Sequence, residues 1–222
     1  MLKFDTPAPI ASVLDIPAGR VRFVATDRAD TVVDVRPADG SKGRDVRAAA
    51  EVTVGYADGV LRIEAPAARS ELFGASGSLE VTVELPAGSR VGAKAASVEF
   101  ETVGRLGDVT VDSAHGAITI DEAATARLAT LAGDVSVGRL GGGAEISTAK
   151  GDIRVAEATR GTVVLRTEAG AISVGAAAGV SASLDAGTSY GRIHNALGNT
   201  GGTADLVIHA TTAYGDIDAR SL

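Results

Sequence analysis

Ser113-Ala114-His115-Gly116-Ala117-Ile118-Thr119-Ile120 reads as a hydroxyl, two variable residues, a glycine and a short alternating strand. The pattern returns as Thr130-Leu131-Ala132-Gly133-Asp134-Val135-Ser136-Val137 and as Thr148-Ala149-Lys150-Gly151-Asp152-Ile153-Arg154-Val155. Three later copies centre on Gly170, Gly191 and Gly215, with Thr167, Thr188 and Thr212 three residues before them. Self-similarity at this period is the signature of a stacked architecture.

Counted from each glycine, positions −7 and −5 are Val109 and Val111, Ala126 and Leu128, Ala144 and Ile146, then Val163 and Leu165. Positions +2 and +4 are Ile118 and Ile120, Val135 and Val137, Ile153 and Val155, then Ile172 and Val174. Alternation sends each set to one side of its strand. Every copy is therefore two short strands meeting at a glycine corner, with a shared inward face. One earlier copy fits if Ala96 takes the glycine position, which turns Val91, Ala93, Val98 and Phe100 inward. Same-handed coils of this size put equivalent strands in parallel, about 4.8 Å apart. The expected fold is all-β, a parallel β-helix or solenoid of about seven coils over residues 89–222. It is right-handed by the rule for parallel crossovers. A lone coil orders many backbones for few buried side chains, so the coils must stack to be stable.

Residues 1–88 read as paired strands and hairpins packed on that solenoid, the whole forming one continuous unit. Ile10–Ile16 ends at the turn signal Pro17-Ala18-Gly19, and Asp27-Arg28-Ala29-Asp30 reads as a hairpin tip. Ala57-Asp58-Gly59 between Val52–Tyr56 and Val60–Ile63 is a stronger hairpin signal, because Asp-Gly accepts positive φ cheaply. Leu79, Val81, Val83 and Leu85 face one side of a strand that ends at Pro86-Ala87-Gly88. Segments Pro37–Ala50 and Pro66–Ser78 show no strand pattern and read as surface loops, the second carrying the apolar pair Leu72-Phe73.

Composition narrows the function classes. Of 222 residues, 45% are hydrophobic but only 3% aromatic, so the interior is built from small aliphatic side chains. A net charge of −7 argues against nucleic acid as a partner. The absence of cysteine removes disulfides, thiolate metal sites and thiol nucleophiles. No apolar run reaches the length of a membrane span, and the start Met1-Leu2-Lys3-Phe4-Asp5 lacks the apolar core of a signal peptide. The expected location is cytoplasmic, with export left open.

Stacking turns sequence columns into surface columns. Ser113, Thr130, Thr148, Thr167, Thr188 and Thr212 form a hydroxyl column that reads as a structural ladder satisfying backbone groups. Asp134 and Asp152 fall side by side, an unfavourable pair unless Arg154 or a cation offsets it, but the Gly-Gly-x-Gly-x-Asp repeat of calcium β-rolls is missing. No metal or cofactor is expected. His115, His194 and His209 occupy unrelated columns, and no Gly-x-Ser-x-Gly elbow occurs, so no catalytic residue is assigned. The patch that departs most from the repeat is Tyr190, Arg192, His194, Tyr214, Asp216 and Asp218, the candidate interaction surface.

The units Gly133-Asp134-Val135-Ser136-Val137 and Gly151-Asp152-Ile153-Arg154-Val155, with the Leu85-Pro86-Ala87-Gly88 turn, resemble the bacterial β-strand-repeat family labelled "putative adhesin". That resemblance implies a non-enzymatic interaction or scaffold module, with a protein or envelope glycan as partner and no catalytic residues to carry over. Two alternatives stand beside it. One is a carbohydrate-binding or carbohydrate-active β-helix. The other is a self-assembling scaffold resembling bactofilins, pairing through the strand edge that the last coil, ending at Ala219-Arg220-Ser221-Leu222, would leave open.

Overall fold

The computed structural model describes residues 1–66, 77–199, 201 and 203–222. Leu72 and Phe73 lie outside them. The chain is all-β with a mostly parallel, solenoid-like sheet, and it forms two compact units, Met1–Gly116 and Ala117–Leu222.

In the first unit the central element is β2 (Ala11–Thr26), one strand of 16 residues. The strands preceding and following it are β1 (Leu2–Asp5) and β3 (Asp30–Pro37). After α1 (Gly43–Glu51) come β4 (Thr53–Ala57), β5 (Val60–Glu64), β6 (Leu79–Pro86), β7 (Arg90–Val103) and β8 (Arg105–His115). β2 runs parallel to β7 from Ala11↔Arg90 to Val24↔Val103. On its other side, its first half pairs in parallel with β5 and its second half with β6. The parallel register thus already operates at residue 11. Pro17-Ala18-Gly19 does not end this strand; it is the corner within it, and Gly19 faces Val98.

That pairing also moves the glycine position of the β7 coil. Ser97 lies opposite His115 and a Cβ on Gly116 would overlap the Val98 carbonyl, so Val98, not Ala96, is the residue in register with Gly116. The inward assignments survive the shift, with Val91, Ala93, Val98 and Phe100 all buried. Phe23 and Phe100 meet in the core with ring centroids 5.7 Å apart.

The Asp58-Gly59 hairpin forms as read. β4 and β5 pair antiparallel up to Ala57↔Val60, leaving Asp58 (φ 51°) and Gly59 (φ 75°) as a two-residue turn. The hairpin expected at Asp27–Asp30 does not form, because β3 pairs antiparallel with β1 and β6 instead of folding back on β2. The segment Pro37–Ala50, expected as a loop, contains most of α1. Its alanine-rich sequence favours helix, and buried Asp45 accepts a hydrogen bond from the Ser78 backbone N–H at 3.0 Å. Leu79, Val81, Val83 and Leu85 are buried on one face of β6.

The second unit contains β9 (Ile118–Ala132), β10 (Val135–Leu140), β11 (Ala144–Lys150), β12 (Ile153–Ala158) and β13 (Gly161–Ala169). β14 (Ile172–Ala176), β15 (Ala182–Tyr190), β16 (Ile193–Ala196), β17 (Leu206–Tyr214) and β18 (Ile217–Ser221) follow. Two parallel ladders run side by side. The strands before the glycine corners stack as β9, β11, β13, β17 and β15. Those after the corners stack as β9, β10, β12, β14, β18 and β16.

The last coil is therefore not last in space. β17 and β18 sit between the coil of β13 and β14 and the coil of β15 and β16. The open edge expected at Ala219–Leu222 is occupied on both sides, with Ala219 paired to Val174 and Asn195. Among the described residues, the edge belongs instead to β15 and β16. Burial follows the same order: Ile208 and Ile217 are buried, whereas Ile193, in register with Ile217, is 45% exposed.

A hydroxyl ladder and a glycine shape the corners. Thr148, Thr167, Thr212 and Thr188 donate their hydroxyls to the carbonyls of Gly133, Gly151, Gly170 and Gly215 at 3.0–3.2 Å. A Cβ on Gly151 would overlap that same Gly133 carbonyl. One carbonyl oxygen per coil thus requires both a hydroxyl at −3 and a glycine at the corner of the next coil, which explains the motif.

Candidate functional site

The six residues Tyr190, Arg192, His194, Tyr214, Asp216 and Asp218 come together as three cross-strand pairs on the two outermost coils of the second unit. Each pair is 24 residues apart in sequence because β15 and β16 register against β17 and β18 at that offset. Tyr190 and Tyr214 close their strands and stack with centroids 5.0 Å apart and planes within 3°. Both remain largely exposed, at 68% and 61%. Since β15 is paired only with β17 among the described residues, the ring face of Tyr190 away from Tyr214 has no neighbouring coil.

Around the corner, Asp216 accepts the backbone N–H of Arg192 at 2.8 Å and its guanidinium at 3.1 Å. The backbone hydrogen bond first, and then the guanidinium, hold this carboxyl below the usual aspartate range. Two residues further along, His194 Nδ1 lies 3.0 Å from Asp218. A second pair of this kind, His209 Nδ1 with Asp185 at 3.2 Å, joins the same two coils. Sequence reading set His209 aside. Its signal was the 24-residue offset to Asp185, the same offset that relates Tyr190 to Tyr214.

Asp134 and Asp152 are neighbours as expected, and each carboxylate accepts a backbone amide. Asp134 accepts the backbone N–H of Asp152 at 2.9 Å, and Asp152 accepts that of Ala171 at 2.7 Å. Asp216 does the same for Arg192, so the three aspartates of this column each cap a backbone amide of the neighbouring coil. Among the described residues no group of three or more His, Asp or Glu side chains is placed to hold a metal ion. In the first unit a shallow depression of about 240 Å³ is lined by Met1, Asp34, Arg36, Glu80 and Glu84. Its lining has no aromatic side chain. Asp34 is already paired with the N-terminal amine and Arg36, and Glu84 with Arg28.

The family model that matches this sequence, the Toastrack DUF4097 domain, spans residues 49–220. The chain belongs to the Toastrack DUF4097 family. Similar folds occur in a "putative adhesin" from Parabacteroides distasonis, at 14% identity and a TM-score of 0.48, covering 98% of this chain and 95% of that one. A "putative adhesin" from Bacteroides fragilis is similar at 12% identity and a TM-score of 0.47, with the same coverage. A "putative cell adhesion protein" from Clostridium sporogenes has 11% identity and a TM-score of 0.39, covering 100% and 98%. Likeness at this level carries no functional argument. No curated protein matches the sequence. Among the described residues of this Toastrack chain, no helix is long and apolar enough to cross a membrane.

Proposed function

We propose that this Toastrack protein is a non-enzymatic interaction module that presents the outer corner of coils 182–196 and 206–221 to a protein partner. The winding is right-handed in this reading, by the crossover rule, with about seven coils. The observation that carries it is the exposed Tyr190–Tyr214 stack. Two large aromatic faces held rigid by backbone register lose little conformational freedom on binding, and tyrosine is enriched at recognition surfaces for that reason. Arg192 with Asp216 and His194 with Asp218 supply a polar rim. The two His–Asp pairs lie on an open β-surface, with His194 71% exposed. They lack the enclosure that would exclude water from a reacting centre, which supports a binding role over a catalytic one.

The test is a pulldown from the source bacterium with the native chain and with Tyr190→Ala/Tyr214→Ala, alongside circular dichroism to show the fold intact. Loss of a specific partner with an unchanged spectrum supports the reading, and full retention refutes it.

A second reading, glycan binding at the same place, is favoured by the unstacked face of Tyr190, since an aromatic face is a platform for the apolar side of a sugar ring. A glycan array with a reducing-sugar release assay separates the two. Tyr190-dependent binding without release selects the glycan reading, and release of sugar overturns the non-enzymatic assignment.

A further inference from the structure

Strands β13, β17 and β15 each have nine residues and stand flush in the ladder. Gly161, Leu206 and Ala182 are in register at one end, and Ala169, Tyr214 and Tyr190 at the other. The coils on either side of the C-terminal coil therefore match each other as well as they match the coil between them. Thr188 now donates to Gly215, and its position relative to its own coil is that of Thr212, which donates to Gly170. Gly191 meets the Gly215 carbonyl as Gly215 meets that of Gly170. Inward residues correspond too: Val163 with Leu184, Leu165 with Ala186, and Ile172 with Ile193.

Connection lengths point the same way. A step to the adjacent coil takes three residues between Leu140 and Ala144 and two between Ala158 and Gly161. The step from Ala176 to Ala182 takes five and passes over the C-terminal coil. Five residues reach two coils and are slack for one. Synthesis from the N-terminus also completes coil 182–196 before coil 206–221 exists, so the only matching ladder edge then available to it is coil 161–176. The native order requires the C-terminal coil to enter between two coils that fit one another.

We propose that the slot between coil 161–176 and coil 182–196 is a strand-exchange site, filled reciprocally by the C-terminal coil Leu206–Ser221 of a second copy of this chain. The incoming segment makes the same ladder hydrogen bonds, the same hydroxyl contact to Gly170 and the same burial of Ile208 and Ile217 in either chain. Exchange of an identical element keeps those contacts. Insertion of a strand between two parallel neighbours is an established mode of β-recognition. This inference does not depend on the tyrosine surface.

The chain has no cysteine, so introduced thiols report on the slot without background. Thr162 and Val207 are direct parallel partners, about 4.8 Å apart, within disulfide reach. Full-length Thr162→Cys and Val207→Cys chains are mixed, unfolded in denaturant, refolded together and oxidised over a range of concentrations. Exchange predicts a covalent dimer of twice 22.2 kDa that needs both cysteines and increases with concentration. Thr162→Cys mixed with Ser136→Cys, whose cysteine is not in register with the slot, sets the level of random coupling. Thr162→Cys/Val207→Cys in one chain confirms folding and geometry by closing internally. If that control closes and the mixed pair never exceeds random coupling, the proposal is overturned.

Discussion

Thr212 donates its hydroxyl to the carbonyl of Gly170 at 3.0 Å, although 42 residues separate them and a complete coil lies between them in sequence. The contact records the order of stacking. Thr188, the next member of the hydroxyl column after Thr167 along the chain, reaches Gly215 instead. The C-terminal coil has taken the place that chain order would give to coil 182–196.

Thr212→Val tests the weight of this contact. The substitution keeps shape and β-propensity but leaves a carbonyl without its hydroxyl donor, so a loss of about 1–2 kcal/mol is expected. Exposed Thr211→Val, one residue away, should stay within about 0.5 kcal/mol. Urea unfolding of the two variants checks both values. Equal stabilities would show that the hydroxyl ladder contributes nothing.

Gly151 should tolerate no side chain. Its φ of 148° lies where L-residues are strained, and a Cβ would overlap the Gly133 carbonyl. Gly151→Val is expected to cost upwards of about 3 kcal/mol, in the range of severe core defects. Ala169→Ser, on an exposed position of the neighbouring coil, should change stability by less than about 0.5 kcal/mol. Denaturant midpoints with unchanged slopes would confirm the contrast.

Asp45 anchors α1 to Ser78, the residue just before β6. Asp45→Ala leaves the Ser78 N–H without its carboxylate and should cost about 1–3 kcal/mol, while Asp45→Asn keeps an acceptor oxygen and should cost less. Thermal unfolding followed at 222 nm reads the ranking. Asp45→Asn as damaging as Asp45→Ala would show that the charge, rather than the hydrogen bond, holds the helix.

Asp30 predicts an acid-limb effect. The Arg28 guanidinium first, and then the Lys3 ammonium, each 2.7 Å from the carboxylate, lower its value to about 2 from an ordinary 3.8. A group whose folded value is depressed contributes stability above its unfolded value and loses it as pH falls toward the folded one. Stability should therefore fall between about pH 4 and pH 2, and Asp30→Asn should flatten that part of the curve while lowering the plateau at neutral pH. Melting temperatures across this range decide it. A slope unchanged in Asp30→Asn would remove Asp30 from the acid response.

Much of the coil was legible because its causes are local and repeated. The inward residues Ile118, Val135, Ile153 and Ile172 could be read from alternation alone, and Thr148 and Gly151 from their fixed spacing. The Asp58-Gly59 turn was legible because its backbone demand is confined to two residues. What sequence reading missed depended on distant partners. β3 carries an ordinary strand pattern, and whether it folds back on β2 or pairs with β1 and β6 is decided by which edges remain free. The corner at Gly19 looks like a chain reversal until β7 supplies a partner on both sides of it. Asp134 and Asp152 looked like a repelling pair because the amides that donate to them belong to the next coil.

The alignment of Tyr190 with Tyr214 is only partly legible in the sequence. The shared column is a property of the motif, so the two rings had to lie in one line. That they touch, and that Tyr190 is the outer of the two, depends on the C-terminal coil lying inside coil 182–196.

By itself the sequence determined the unit: two alternating strands, a glycine corner, a hydroxyl three residues before it, and the need to stack. Tertiary structure alone decided the order. Every coil offers the same carbonyl, the same ladder and nearly the same inward residues, so the motif that makes stacking obligatory cannot say which coil is the neighbour. The burial gained by placing Ile208 and Ile217 inside, where Ile193 at the edge stays exposed, goes with that choice.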